Sequence, residues 1–254
     1  MDLELTAAQW LLFAGAGVVT GIINTLAGSG SLVTLPIFVF VCGLPAPVAN
    51  GTNRIGVMIQ SMVGVAGLSR SGKVTYRGAS WVVIPAILGA AVGSRIAVGL
   101  DEQAMDYTIG GLMVFMLVVL LADPKRWLVE DRVQTRGRKW LLVPIFFLIG
   151  VYGGFIQAGV GIFLLAGLVL LGHYSLSSAN GIKLLVVAAY GLPTLLIFYL
   201  QDQVHFGYGI AMAVFQSIGA WLSVRFVARV PNADAWIHRL LIVVVAVSAV
   251  MFFL

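Results

Sequence analysis

Few folds are open to an apolar chain that is interrupted inside its own membrane-length runs, and this chain is interrupted twice. Asn24, Thr25, Leu26, Ala27, Gly28, Ser29, Gly30 and Ser31 lie within the apolar run from Trp10 to Val41, with Pro36 soon after. Close glycines cost helix stability, and hydroxyl and amide side chains offer the backbone other partners, so the stretch predicts a broken helix. Ala49, Asn50, Gly51, Thr52, Asn53 and Arg54 follow it. About 130 residues on, Ala158, Gly159, Val160 and Gly161, and then Ala179, Asn180 and Gly181, repeat the pair of motifs. Gly89 to Arg95 recurs as Gly219 to Arg225 at the same spacing. Breaks in corresponding segments of two similar halves mark transporter folds, and the two breaks read as one substrate site.

Composition agrees with the class. Hydrophobic residues make up 60% of the chain and charged residues 10%, more apolar surface than a soluble core could hide. The reading is an all-α polytopic membrane protein. Apolar segments run from Trp10 to Val41, Asn53 to Leu68, Trp81 to Val98 and Tyr107 to Leu121, and again from Trp140 to Leu171, Ile182 to Leu200, Tyr208 to Val227 and Trp236 to Leu254. Residues 1–122 and 140–254 are thus two membrane repeats of four apolar segments each, joined by a charged linker at 123–139. The opening segment of each repeat, 32 residues long, is too long for one span and too short for two, which fits a broken or re-entrant passage.

The charges give the sidedness. Twelve of the 15 Lys and Arg residues fall around Arg70–Arg77, Lys125–Lys139 and Arg225–Arg239, a positive-inside pattern rather than a nucleic-acid footprint. Asp101, Glu102, Asp106 and Asp202 mark the opposite side. The assignments close if each opening segment enters and returns to its starting side, leaving three crossings per repeat. Three is odd, so the second repeat is inverted. The N-terminus is then outside an inner, multi-pass cell membrane; its acids, Asp2 and Glu4, do not suit a cleaved leader.

Cys42 is the single cysteine, which excludes an internal disulfide and a cysteine-based metal cluster. Catalytic motifs such as His-Glu-x-x-His or Gly-x-Ser-x-Gly are absent, and His173, His205 and His238 fall at segment ends, so no enzyme, cofactor or metal is expected. Partners are a small anionic substrate and the lipid bilayer, with no nucleic acid; the sequence leaves the oligomeric state open. Gly17 with Gly21, Gly89 with Gly93, and Gly150 with Gly154 have the spacing that lets helices touch, and packing accounts for them.

The glycine turn before a proline, Ala27 to Pro36, the motif Ala49 to Asn53, and partial copies of both resemble the TauE/SafE family of membrane permeases, also called the sulfite exporter family. The likeness covers nearly the whole length. It implies export of small sulfur-containing anions such as sulfite or organosulfonates. The chain departs from a pure glycine run at Ser29 and Val160, and the second copy has no equivalent of Pro36.

The residues independently suit an anion. A helix restarting after Gly30 presents unpaired N–H groups and a positive dipole end, as would a helix starting near Asn50 after Pro45 and Pro47, with matching starts after Gly161 and Ser178. Four such ends would cradle an oxyanion, with Asn24, Ser29, Ser31, Thr52 and Asn53 as further donors and Gly28, Gln157, Gly159 and Asn180 completing the candidate site. Ser and Asn here could instead cap their own helices. Arg54 and Lys183 each follow an Ala-Asn-Gly motif, and no acidic residue lies nearby in the membrane to compensate them. Their partner is either the transported anion or, if they reach an interface, lipid phosphate. Transport by alternating access, an anion channel and, more remotely, a membrane enzyme all fit these features. For sidedness, Thr75→Cys and Asp101→Cys in a Cys42-free background should label from opposite sides of the membrane. Labelling of both from one side would break the inverted arrangement.

Overall fold

The computed structural model describes residues 5–70, 76, 79–122, 142–225 and 233–253. The expected linker at 123–139, with Lys73, Arg77 and Arg229, lies outside the described residues. Among those described, the fold is all-helical: α1 (Ala7–Leu26), α2 (Ser31–Pro36), α3 (Ala46–Arg70), α4 (Ser80–Ala97), α5 (Glu102–Leu121), α6 (Val143–Phe155), α7 (Val160–Ala166), α8 (Leu176–Tyr199), α9 (Phe206–Arg225) and α10 (Ala233–Met251). Five of these, α1, α4, α5, α8 and α9, are long and apolar enough to cross a membrane. The chain is a membrane protein.

The same order of elements occurs twice. A helix ends at a break (α1, α6), a short helix continues into a wide π turn (α2 into Ile37–Val41, α7 into Gly167–Leu171), and three longer helices follow. The second π turn forms without a proline, so the missing equivalent of Pro36 does not cost the second half this feature. Each short helix runs back along the one before it. Phe38 of the first π turn packs on Phe13 of α1, ring centroids 6.1 Å apart, in a cluster that also holds Trp10 and Cys42. In the second half Leu168 and Tyr174 join Phe146 of α6 and Trp81 of α4. The two long opening runs are therefore helical hairpins whose tips are the glycine breaks.

Helix starts differ from expectation. α3 begins at Ala46, not near Asn50, because Pro47 is tolerated in a first turn where no N–H is needed. α8 begins at Leu176, with the Ser175 side chain accepting from the Ser178 N–H, and α7 begins at Val160, before Gly161 rather than after it. Asn50 and Asn180 thus sit inside helices.

The halves pack on each other through bare backbone. A Cβ at Gly89, Gly93 or Gly154 would lie 1.9–2.0 Å from a carbonyl oxygen across the α4–α6 crossing, and Gly21 and Gly219 would meet carbonyls at 2.0 Å where α1 crosses α9. The two crossings correspond: Gly89 meets Phe147 in α6 as Gly219 meets Val18 in α1. Lipid gives helices no hydrophobic reason to associate, so close approach of small residues does that work. Gly154→Ala should force α4 and α6 apart and cost at least about 1–3 kcal/mol, seen as a lowered midpoint of thermal unfolding in detergent. Gly111→Ala, with nothing within 4 Å of its Cβ, should not lower it.

Candidate functional site

The hairpin tips meet each other. Gly28, at φ +75°, breaks the helix after α1, and its carbonyl accepts from the Gly161 N–H at 3.0 Å. A Cβ on either glycine would stand 2.3–2.4 Å from the other's Cα, so only glycine fits at this junction. The first tip is also held locally, because the Asn24 side-chain oxygen accepts from the Gly30 N–H at 2.7 Å. In the second tip Gln157 and Gly159 take positive φ, +54° and +72°, and the Tyr152 hydroxyl donates to the Ala158 carbonyl.

Two buried cations brace the tips, each from the opposite half. The Lys183 ammonium of α8 donates to the carbonyls of Asn24 (3.0 Å) and Thr25 (3.2 Å), at the end of α1. The Arg54 guanidinium of α3 donates to the carbonyls of Gly154 (2.6 Å), Phe155 (3.3 Å) and Gly153 (3.5 Å), at the end of α6. Arg54 and Lys183 are as far apart in the chain as the carbonyl pairs they hold, Asn24–Thr25 and Gly153–Gly154. Helix ends carry orphaned carbonyls and about half a negative charge, so a cation is the natural partner there. Arg54 is further held by the Asn50 side-chain oxygen at 3.4 Å and lies 4.2 Å over the Phe198 ring. With exposures of 0% and 1%, neither cation reaches lipid phosphate, which removes that alternative. Backbone carbonyls, invisible in a list of side chains, already compensate part of each charge.

A small central space, ≈ 10 Å³ or room for about one water molecule, lies between the tips. Asn24, Gly28, Ser31, Gln157, Gly161 and Lys183 of the expected site border it, together with Gln60, Ser61, Val57 and Val187. The remaining expected residues stand apart from it. Asn53 donates to the Ser31 hydroxyl at 3.0 Å and accepts from Thr34 at 2.6 Å, tying α3 to α2. Asn50 donates to the Phe155 carbonyl at 2.8 Å, and Thr52 accepts from the His205 N–H at 2.9 Å. Gly159 faces Met116, Ser29 is fully buried with an unpartnered hydroxyl, and the Asn180 side-chain oxygen is likewise unpartnered. Of four expected helix N-termini, those of α2 and α7 reach the space. Those of α3 and α8 do not: Val57 and Gln60 border it about three turns into α3.

Gln60 and Ser61 were missed because a single glutamine in an apolar run has no motif. Helical spacing could have found them, since Asn50, Asn53, Val57, Gln60 and Gly64 fall on one face of α3. The chemistry on offer is a cation, Lys183, beside the unpartnered Asn24 amide nitrogen and the hydroxyls of Ser31 and Ser61, with valines filling the rest. No group of three or more His, Cys, Asp or Glu side chains able to hold a metal exists among the described residues.

The chain is similar to several probable membrane transporter proteins. A probable membrane transporter protein of Xylella fastidiosa (strain Temecula1 / ATCC 700964) is 25% identical over 248 residues, 96% of this chain and 95% of that protein. One from Haemophilus influenzae (strain ATCC 51907 / DSM 11121 / KW20 / Rd) is 27% identical over 212 residues, 83% of this chain and 82% of its own length. The probable membrane transporter protein YfcA of Escherichia coli (strain K12) is 24% identical over 236 residues, 91% and 85%. No solved structure matches. The sequence profile described as sulfite exporter TauE/SafE matches residues 13–252, and the chain therefore belongs to the sulfite exporter TauE/SafE family.

Proposed function

We propose that the chain exports a small sulfur-containing anion, of the sulfite or organosulfonate class, through the space between the two hairpin tips. The observation that carries this is the placement of the Lys183 ammonium and the unpartnered Asn24 amide at a junction of two broken helices. The reading draws its substrate class from the family. Residues 1–122 and 140–254 act as two repeats of inverted topology in the inner membrane, N-terminus outside, and the site opens alternately to either side. A space that admits about one water favours a transporter over a standing anion pore. The protein works as a transporter and not as an enzyme, and needs no cofactor.

Energy comes from the membrane potential. The ten acidic residues lie in loops or segment ends, so a proton or sodium relay of the usual intramembrane kind has no carboxylate to use. An inside-negative potential favours exit of a monovalent anion by about 2.3 kcal/mol per 100 mV, about fiftyfold in concentration. In proteoliposomes tested with sulfite, sulfate, thiosulfate, sulfoacetate and nitrate, flux of sulfite or sulfoacetate should be saturable and should rise with imposed voltage. It should not respond to a pH gradient at zero potential. Flux of cations or neutral solutes alone, or discrete single-channel conductance steps, would overturn the reading.

The two cations should separate in mutagenesis. Lys183 borders the space and Arg54 is held away from it, so Lys183→Ala should abolish saturable flux. Arg54→Ala removes the brace at the end of α6 and should destabilise the protein by about 3 kcal/mol, measured by thermal unfolding. Arg54→Lys keeps the charge but loses the planar fork, and should fall between wild type and Arg54→Ala in both stability and flux. If both alanine variants keep wild-type anion affinity and flux, neither cation belongs to the site.

A further inference from the structure

Polar groups buried without a partner are costly, and where they collect they call for a ligand or water. Both hairpin tips hold such groups at the central space, Asn24 in the first and Gln157 in the second, and a further set lies on α1, α3 and α9. The Thr20 hydroxyl of α1, the Gln60 side-chain oxygen of α3, and the Ser223 hydroxyl and both amide atoms of Gln216 in α9 have no hydrogen-bond partner among the described residues. All four side chains are at most 1% exposed. Gln60 borders the central space, as does Asn24. Thr20 adjoins Asn24, since a Cβ at Gly30 would lie 2.7 Å from each of their side chains. Gln216 fills the crevice between α1 and α3, its backbone against Gly21 and its side-chain oxygen against Gly56, one turn from Gln60. Ser223 lies two turns further along the same face of α9. Gly51 meets Gln203, Gly209 meets Ile55 and Gly67 meets Val224, so α3 and α9 run in the same direction. Thr20 and Gln216 therefore stand beside the central space, and Ser223 lies between it and the ends that carry Arg70 and Arg225.

Two corresponding positions of the other half are apolar and closely packed, and the buried Ser94 hydroxyl beside them is satisfied by the Ala90 and Gly154 carbonyls. Gly150 meets the backbone of Ala86 as Gly21 meets that of Gln216, so Ala86 stands where Gln216 does, and Gly93, against the Val151 carbonyl, where Ser223 does. The frame is shared and the chemistry is not.

We propose that Thr20, Gln60 and Gln216 form the inner mouth, and Ser223 the outer stretch, of the route by which the anion, with its water, passes between the central site and the Arg70–Arg225 face, while the α4–α6 side acts as a seal. Uncharged amides and hydroxyls suit such a route. They replace the hydration of an oxyanion stepwise, yet hold it too weakly to trap it. The proposal rests on the transport reading above.

Gln216→Leu, of similar volume, removes the two unpartnered amide atoms. On this proposal it lowers saturable anion flux about tenfold while the thermal midpoint holds or rises, because a buried polar cost is gone. A residue that serves packing alone would leave flux unchanged. A second readout does not depend on flux. In a Cys42→Ser background, Gln216→Cys should react with a membrane-impermeant anionic thiosulfonate added from the Arg70–Arg225 side, and Ala86→Cys should stay unreactive from both sides. Wild-type flux in Gln216→Leu, or a Gln216→Cys as inert as Ala86→Cys, overturns the route. If the wild-type protein moves no anion at all, the transport reading falls, and the labelling pair alone then decides whether the route is open to solutes.

Discussion

Two helices end inside this molecule, and the hydrogen bonds their last carbonyls require decide much of the rest. In water such ends are satisfied by solvent; within an apolar body each unsatisfied backbone group costs several kcal/mol. Here α1 finishes under Lys183 and α6 under Arg54, each supplied by the other half of the chain. The break after α1 is joined to the first turn of α7 by the bond from the Gly161 N–H to the Gly28 carbonyl. Neither half can complete its own hairpin tip. The close glycine crossings of α1 with α9 and of α4 with α6 join the two halves beside these braces.

The interruption itself was legible in the sequence, because glycines with hydroxyl and amide neighbours are conspicuous in an apolar run. So were Arg54 and Lys183, as the cations left over once the loops had been assigned. What those cations hold was not legible: carbonyls are present at every residue, and only the fold says which ones end a helix. The start of α3 at Ala46 was missed for a related reason, since Pro47 reads as an interruption although a first turn accepts it. The π turn at Gly167–Leu171 forms with no proline to announce it. Asn50, Thr52 and Asn53 read as ligand donors, yet their side chains tie α3 to α6, to the loop before α9, and to α2. An amide that braces and an amide that binds look alike in a sequence.

The backbone of the two halves corresponds closely at the crossings, but the side chains around the tips do not. One brace is a planar fork stacked on Phe198, the other a flexible ammonium that also borders the central space. Arg loses little freedom when its fork is satisfied and suits a fixed joint. Lys makes weaker geometric demands and can share its charge between neighbours. A frame that is nearly duplicated can therefore carry one rigid side and one adjustable side.

That difference has an energetic consequence on the transport reading. The end of α1 offers Lys183 the equivalent of about half a negative charge, spread over two carbonyls at 3.0 and 3.2 Å. A monovalent anion in the central space, which Lys183 borders, would offer a full charge. The ammonium has three donors, so it need not abandon α1 to meet the anion, but its position must shift towards the larger charge. Any such shift loosens the hold on the first hairpin tip at the moment the site is filled. The brace of the second tip, Arg54, does not border the central space and does not feel the same pull. Substrate charge thus acts on one hairpin more than on the other, while the direction of net flux is left to the membrane potential.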